Sequence, residues 1–186
     1  MFPKIDKFTE KAQEVLQISQ DIVRQLRHTE WDVEHILLAL LEQEKGLTLD
    51  LMGKLGVDHE NLRDKVRESL EKTPSVTYET QQIYITPRVV QMGERAHAES
   101  TRMKDDFIGT EHLLIAVIAE RDGECGRILG ESSIDIEGLY QVLQEVRGSS
   151  RVTDQNAESK YQALEKYSID LTEQAREGKL DPVIGR

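Results

Sequence analysis

The chain repeats itself, and this constrains its fold more than any other feature. A shift of 77 residues aligns positions 8–70 with positions 85–147 without a gap. Identical residues occupy 11 of these 63 pairs, against roughly 4 expected from average residue usage. The block EHILLALL that begins at Glu34 returns as EHLLIAVI at Glu111. The sequence therefore predicts a tandem duplication of one structural unit.

Each copy predicts four helices. Thr9 and Thr86 stand where a helix N-cap is expected, and Pro87 follows at the position where proline favours a first helical turn. The second helix is expected to begin near Asp32 in one copy and near Gly109 in the other. Its centre is apolar on nearly all sides, which predicts a helix buried on most faces.

Glycine and aspartate mark the rest of each unit. Gly46 and Gly123 are expected to end the second helix as left-handed C′ residues. A short third helix follows at 47–55 and at 124–131, and a fourth helix begins after Asp58 and after Asp135. The sequence thus predicts an all-α fold: a tandem duplication of a four-helix motif with pseudo-two-fold symmetry and eight helices, plus a C-terminal linker helix.

The segment boundaries follow from composition. We expect one domain at 1–148, with repeats at 8–72 and 85–147, and a polar linker at 149–158. Residues 159–186 form a last helix and its continuation, with no counterpart elsewhere in the chain, and they stop without a closing element. The sequence is therefore interpreted as cut from something longer.

Charge and composition exclude several classes of protein. The formal net charge is −11, and no basic cluster interleaved with aromatic residues occurs, so nucleic acid is a poor candidate partner. No apolar run approaches the roughly 18 residues that span a bilayer. The single cysteine, Cys125, cannot form an intrachain disulfide, and the charged N-terminus is unlike a signal peptide. We expect a cytoplasmic location and no contact with a membrane.

The chain carries no signature of catalysis. No phosphate-binding loop precedes Gly178-Lys179, so ATP binding is not expected here. His35 and His112 do not extend to a zinc motif, which favours structural bonds to nearby backbone at a helix start. Nothing supplies a nucleophile or metal beside Glu34 and Glu111, so the sequence predicts neither an enzyme nor a metal site.

Four duplicated residues are the candidate binding groups: Thr9, Thr86, Glu34 and Glu111. A threonine hydroxyl beside free backbone N–H groups can hold an anion, and a nearby carboxylate can pair with a guanidinium. The alternative interpretation is structural, because threonine caps a helix and a first-turn glutamate complements the helix dipole. The apolar surface where the two copies meet offers a second kind of site, a shallow groove for extended apolar peptide.

These motifs resemble the N-terminal domain of Clp-type AAA+ chaperones. The resemblance rests on FTEKAQEVL from Phe8, on the two EHLL-like helices, and on the tail from Tyr161 to Arg186, which is similar to the start of the first ATPase domain. The tail favours the ClpB disaggregases. The N-terminus and the block FIGTEH from Phe107 are similar to ClpC instead.

The resemblance implies a domain that recruits unfolded or aggregated protein to an ATPase ring, without catalysis or a cofactor of its own. ATP and magnesium would belong to the parent, a hexamer that works with a DnaK-type chaperone or with ClpP. In ClpB relatives, positions matching Thr9, Asp105 and Glu111 affect substrate handling. In ClpC, positions matching Thr9, Glu34, Thr86 and Glu111 bind phosphoarginine tags, and the domain takes adaptor proteins. A stand-alone helical scaffold is the remaining alternative.

Overall fold

The computed structural model describes residues 1–43, 46–77, 82–132, 134–148 and 150–158. Over these residues a 3-10 turn at Ile5–Lys7 precedes eight α-helices and two short strands. The first copy holds α1 (Glu10–Gln25), β1 (Glu30–Trp31), α2 (Val33–Leu41), α3 (Leu47–Lys54) and α4 (His59–Glu71), and the second holds β2 (Tyr84–Ile85), α5 (Pro87–Arg102), α6 (Thr110–Ile118), α7 (Gly123–Glu131) and α8 (Ile136–Arg147). The predicted all-α fold and four-helix duplication are confirmed. The predicted helix at 159–186 lies outside the described residues.

The predicted caps start the helices. The Thr9 hydroxyl accepts a hydrogen bond from the backbone N–H of Ala12 at 3.2 Å, and the Thr86 hydroxyl accepts one from Val89 at 3.3 Å. Asp58 caps α4 and Asp135 caps α8 in the same way. Each bond satisfies an N–H group that the first helical turn leaves without an internal acceptor.

The common role predicted for Gly46 and Gly123 is wrong. α2 ends at Leu41 and α6 at Ile118, several residues before either glycine. Gly46 has an extended backbone (φ −167°) and precedes α3. Gly123 does adopt a left-handed φ of 67°, but it is the first residue of α7, and a Cβ there would lie 2.7 Å from the Arg88 guanidinium. The two glycines therefore align in sequence without sharing a backbone role.

The two copies interlock at the centre of the domain. Every residue of α2 and of α6 is buried, and these two helices pack against each other. The chain crosses between copies twice, where Trp31 pairs with Ile85 in a parallel ladder and Phe8 pairs with Ile108. The 77-residue shift exchanges these two pairings, which confirms the pseudo-two-fold relation. Each N-cap threonine consequently lies beside a helix start of the other copy.

Residues 150–158, which we call the strap, pack back onto the domain. Val152 is fully buried, and its N–H donates to Asp105 Oδ1 at 2.8 Å. The N–H of Glu10 donates to the Gln155 carbonyl at 2.8 Å, and Glu158 is buried at the end of the segment. The stretch predicted as a polar linker is therefore held against both copies over its described length.

Candidate functional site

The first site forms where α5 and α2 begin, and we call it the Thr86 site. The Thr86 hydroxyl and the backbone N–H of Val33 both donate to Asp32 Oδ1, each at 2.8 Å. Arg88 donates to Asp32 Oδ2 at 2.8 Å and to the two oxygens of Glu34 at 3.0 and 3.2 Å. The hydroxyl, the helix N-terminus and the carboxylate are thus all paired within the chain.

The surroundings hold Glu34 further in place. Its Oε1 accepts a hydrogen bond from the backbone N–H of Cys125 at 2.9 Å, and Arg88 also donates to the Asp122 carbonyl at 2.9 Å. The Cys125 thiol is fully buried, and its pKa is raised by that burial first and by the negative charge of Glu34 second. The thiol is accordingly held protonated, and a protonated, buried thiol is a poor nucleophile.

The second site forms where α1 and α6 begin, and we call it the Thr9 site. The Thr9 hydroxyl donates to Glu158 Oε1 at 2.8 Å, and the backbone N–H of Thr110 donates to the same oxygen at 2.9 Å. Thr9 and Thr110 are the 77-residue counterparts of Thr86 and Val33. Glu158 therefore supplies the oxygen that Asp32 supplies in the first site, because Gly109, the counterpart of Asp32, has no side chain.

A second buried carboxylate, Glu111, lies beside Glu158. Its Oε1 is 3.4 Å from a guanidinium nitrogen of Arg147, and neither carboxylate oxygen of Glu111 makes a hydrogen bond. Burial, with the charge of Glu111 as the second cause, raises the pKa of Glu158 to about 7. The Thr110 N–H and the Thr9 hydroxyl oppose this shift by stabilising the charged form.

Asp105 anchors the opposite side of Arg147. Its two oxygens accept hydrogen bonds from Arg147 at 2.8 and 2.9 Å, and its Oδ2 also accepts one from His112 Nε2 at 3.0 Å. Burial on its own would raise the pKa of Asp105, but the bonds from His112, Arg147 and the Val152 N–H lower it to about 2. Asp105 is consequently a charged group sealed inside a hydrogen-bonded network.

The structural role predicted for the two histidines is confirmed. The backbone N–H of Asp32 donates to His35 Nδ1 at 3.1 Å, and that of Gly109 donates to His112 Nδ1 at 2.8 Å. Each ring therefore carries its proton on Nε2 when neutral. His35 Nε2 lies 2.9 Å from His28 Nδ1, whereas His112 Nε2 donates to Asp105.

The predicted residues meet across the copies. Thr86 lies with Glu34 and Thr9 with Glu111, so each site combines a threonine of one repeat with a glutamate of the other. Sequence reasoning missed three participants: Asp32, Arg88 and Glu158. The sequence does show that Asp32 aligns with a glycine, Gly109. This difference points to a role for the Asp32 carboxylate and for Arg88, the cation that pairs with it. Glu158 lies outside the repeats, and the sequence gives no signal that it enters a site.

The grooves differ from the expected apolar site between the copies. The apolar helices that meet between the copies, α2 and α6, are buried and leave no surface for a peptide. The groove that does open between the copies, about 600 Å³ between α4 and α7, is lined mainly by charged side chains such as Lys72 and Arg127. A groove of about 530 Å³ within the first copy combines apolar lining residues, among them Ile22, Leu26 and Leu49, with polar ones such as Arg63. We call this the first-repeat groove.

The residues that the structure describes form neither a metal-binding cluster nor a membrane-spanning helix. Among those residues no group of three or more His, Cys, Asp or Glu side chains is placed to hold a metal ion. None of their helices has the length and apolar character needed to cross a bilayer.

Comparison with known proteins decides the family. Residues 7–132 match the family model of the Clp repeat (R) N-terminal domain. The chain belongs to the Clp repeat N-terminal domain family. ClpB 1 of Synechococcus elongatus is 42% identical over 97% of the chain, and ClpB of Bacillus cereus strain ATCC 14579 is 40% identical over 98%. The chain spans about a fifth of these relatives, 20% and 21% of their lengths.

Solved structures of Clp N-terminal domains share the fold. The Hsp104 N-terminal domain of Candida albicans superposes with a TM-score of 0.72 at 19% identity, covering 82% of this chain and 99% of that one. A complex of the ClpV N-domain with a VipB peptide gives a TM-score of 0.62 at 18% identity, covering 80% and 92%. The family domain is the non-catalytic N-terminal domain of ClpB-type chaperones, so the predictions of a Clp domain and of a non-enzyme are confirmed.

Proposed function

We propose that this Clp repeat domain recruits unfolded or aggregated polypeptide to the ATPase ring of a ClpB-type disaggregase. ATP and magnesium would act in that ring, and a DnaK-type chaperone would be the cooperating partner, both in the cytoplasm. The full-length ClpB relatives support this role, as does the VipB peptide bound by the structurally similar ClpV N-domain. The domain contributes binding only, and its tether raises the local concentration of substrate near the ring.

One observation favours unfolded polypeptide over phosphoarginine tags or adaptors that present them. Both carboxylates that a tag's guanidinium would need, Glu34 and Glu111, are buried and face the chain's own Arg88 and Arg147. Both threonine hydroxyls already donate to carboxylates of the chain, Thr86 to Asp32 and Thr9 to Glu158. A tag would have to displace a bonded group at either site before binding.

The first-repeat groove is the surface we assign to the polypeptide. Its lining includes the apolar side chains Ile22, Leu26 and Leu49, whereas the groove at the corresponding place in the second copy is smaller, about 440 Å³. There Arg102, the counterpart of Gln25, lies over the Tyr140 ring at 4.6 Å. Apolar side chains of an extended substrate would contact Ile22, Leu26 and Leu49 in the first-repeat groove, beside the ion pair of Arg67 with Glu42.

The test is a fluorescence-anisotropy titration of the chain with a carboxymethylated, permanently unfolded polypeptide and, separately, with free phosphoarginine. Leu26→Ala should weaken polypeptide binding about fivefold, the loss of about 1 kcal/mol of apolar contact. Met103→Ala, at the aligned position of the second copy, is the matched control and should leave binding unchanged. Phosphoarginine binding that disappears in Glu34→Ala, without polypeptide binding, would establish the ClpC-type alternative instead.

A further inference from the structure

The two sites use the same donors but obtain their acceptor from different places. In the Thr86 site, Asp32 directly precedes the helix whose first N–H it caps. In the Thr9 site, Glu158 lies 48 residues after Thr110 and reaches it only through the strap. Asp32 cannot leave without distorting the start of α2. Glu158 can leave by release of the strap, with α6 intact.

The two carboxylate pairs also differ in the cation between them. Arg88 lies between Asp32 and Glu34 in the first site. Its counterpart in the first copy is Lys11, which belongs to the Thr9 site's α1 and whose Nζ pairs with Glu14 at 2.7 Å on the surface. Glu111 has a nitrogen of Arg147 at 3.4 Å, but Arg147 bonds chiefly to Asp105. Glu158 and Glu111 therefore confront each other without the bridging guanidinium of the first site.

Backbone geometry shows how closely these two carboxylates converge. A Cβ placed on Gly109 would lie 2.3 Å from Glu111 Oε2 and 3.0 Å from Glu158 Oε1. Among the described residues, Glu158 Oε2 and both oxygens of Glu111 are buried and have no hydrogen-bond partner. The negative charge of Glu111 in the same buried site favours the neutral form of Glu158, because like charges repel and burial removes solvation.

Several groups face Glu158 from the surrounding elements. Glu111 faces it from α6, the Thr9 hydroxyl from the start of α1, and the Thr110 N–H from the start of α6. Arg147 of α8 acts on it through Glu111, with Asp105 and His112 on the far side of Arg147. On the surface, Glu10 accepts a hydrogen bond from Asn156 of the strap.

We propose that the strap is a releasable latch: a proton on Glu158, which lies beside Glu111 in the buried Thr9 site, holds the strap in place, and loss of that proton releases it. The inference rests on this chain's own contacts and is independent of the proposed function. Release would add up to about 30 Å of reach between the domain and whatever the chain carries after residue 158, since nine extended residues span about that length. The pH would thereby control how far the domain can move from the part of the chain that follows residue 158.

The sign of the effect follows from the proton balance. The pKa of Glu158 is raised from its ordinary value of 4.5 to about 7 on the docked strap. Between these values the docked state binds more protons than the released state, so docking is fully present at lower pH and weakens as the pH rises. The docking equilibrium constant should fall roughly 40-fold from pH 5 to pH 7.

Amide hydrogen exchange of the 186-residue chain tests the latch, with rates corrected for the intrinsic effect of pH. The Thr110 N–H, which donates to Glu158, is the reporter, and the Val33 N–H, which donates to Asp32, is the internal reference. The protection factor of Thr110 should fall roughly 40-fold relative to that of Val33 between pH 5 and pH 7. Equal changes at the two amides, or none at either, would overturn the proposal.

Two variants assign the effect to the carboxylate pair. Glu158→Gln keeps an acceptor for Thr9 and Thr110 but removes the titration, so the ratio of the two protection factors should no longer depend on pH. Glu145→Gln, a change at an exposed carboxylate of α8, should retain the full dependence of the unaltered chain. A pH dependence that survives in Glu158→Gln would show that another group governs the strap.

Discussion

The Thr86 site and the Thr9 site are the same arrangement completed in two ways. Each offers one threonine hydroxyl and one helix N-terminal N–H to a single carboxylate oxygen. In the Thr86 site the first copy supplies that oxygen from Asp32, and Arg88 of the second copy neutralises the neighbouring glutamate. The second copy has Gly109 instead and imports Glu158 from beyond the repeats. After duplication the donors were kept, and the acceptor diverged.

The difference separates a permanent cap from a removable one. A local acceptor is positioned by the turn that precedes its own helix, so little entropy is lost when it bonds. A distant acceptor such as Glu158 bonds only when the nine residues of the strap are ordered. Its net contribution to stability is therefore the free energy of its hydrogen bonds minus the cost of the entropy lost in that ordering. Burial of Val152 and the hydrogen bonds that the strap makes with Asp105 and with the Glu10 N–H supply the rest of the docking energy.

The largest effect is expected from removing Asp105, which supports the second site alone. Asp105→Ala removes the buried carboxylate whose two oxygens accept hydrogen bonds from Arg147, and breaking such a buried pair costs about 3–5 kcal/mol of the free energy of unfolding. The melting temperature should fall by roughly 6–15 °C. Thermal unfolding followed by circular dichroism measures it.

The matched variant lies in the first copy. His28 occupies the position aligned with Asp105 and bonds to His35 as Asp105 bonds to His112. His28→Ala removes one neutral hydrogen bond and some packing, so we expect a loss of about 1–2 kcal/mol. Equal losses in the two variants would mean that the charge on Arg147 does not distinguish the two copies.

Acid should act first on the Thr86 half. Burial, and next the neighbouring His28, lower the pKa of His35 from 6.5 to about 4. Between these values the unfolded chain binds the extra proton, so the stability that neutral His35 contributes is present above pH 6.5 and is lost as the pH falls. We expect a loss of about 2–3 kcal/mol down to pH 4.

Urea unfolding of the chain and of His35→Gln across this range isolates the effect, because Glu158 titrates in both proteins and cancels in their difference. The difference in the free energy of unfolding should shrink as the pH falls from 6.5 to 4. His97→Gln, a change at an exposed histidine of α5, should parallel the unaltered chain at every pH. A constant difference for His35→Gln would exclude this histidine as the source of acid sensitivity.

The same comparison shows how far the sequence alone could lead. The duplication, the eight helices and the threonine caps were predictable, since periodicity and capping are local signals. The pairing of each threonine with the other copy's glutamate depends on the crossing of Phe8 to Ile108 and of Trp31 to Ile85, which no local signal encodes. Gly46 shows the opposite failure, because alignment with Gly123 suggested a shared backbone role that the two loops do not share.

Glu158 was beyond the reach of sequence reasoning for a different reason. The segment around it is polar, and polarity is the usual sign of a solvated linker. The segment binds because the distant Thr9 hydroxyl and Thr110 N–H both donate to Glu158. Gly109, at the position aligned with Asp32, has no side chain that could accept these bonds instead. The roles in substrate handling that the resemblance gives Thr9, Asp105 and Glu111 stay predictions, and the geometry adds that all three residues are buried.

The smallest effect is expected from Asp32, and it tests the local cap directly. Asp32→Ala removes the acceptor of the Val33 N–H and one partner of Arg88, which should cost about 1–2 kcal/mol of the free energy of unfolding. Asp32→Asn keeps the Oδ1 acceptor and loses only a partly exposed ion pair, so a loss of about 0.5 kcal/mol is expected. Amide exchange should show faster opening at Val33 in the alanine variant while Thr110 is unchanged. Opening at both amides would mean that the two sites are coupled through α2 and α6, and the contrast between a permanent and a removable cap would then fail.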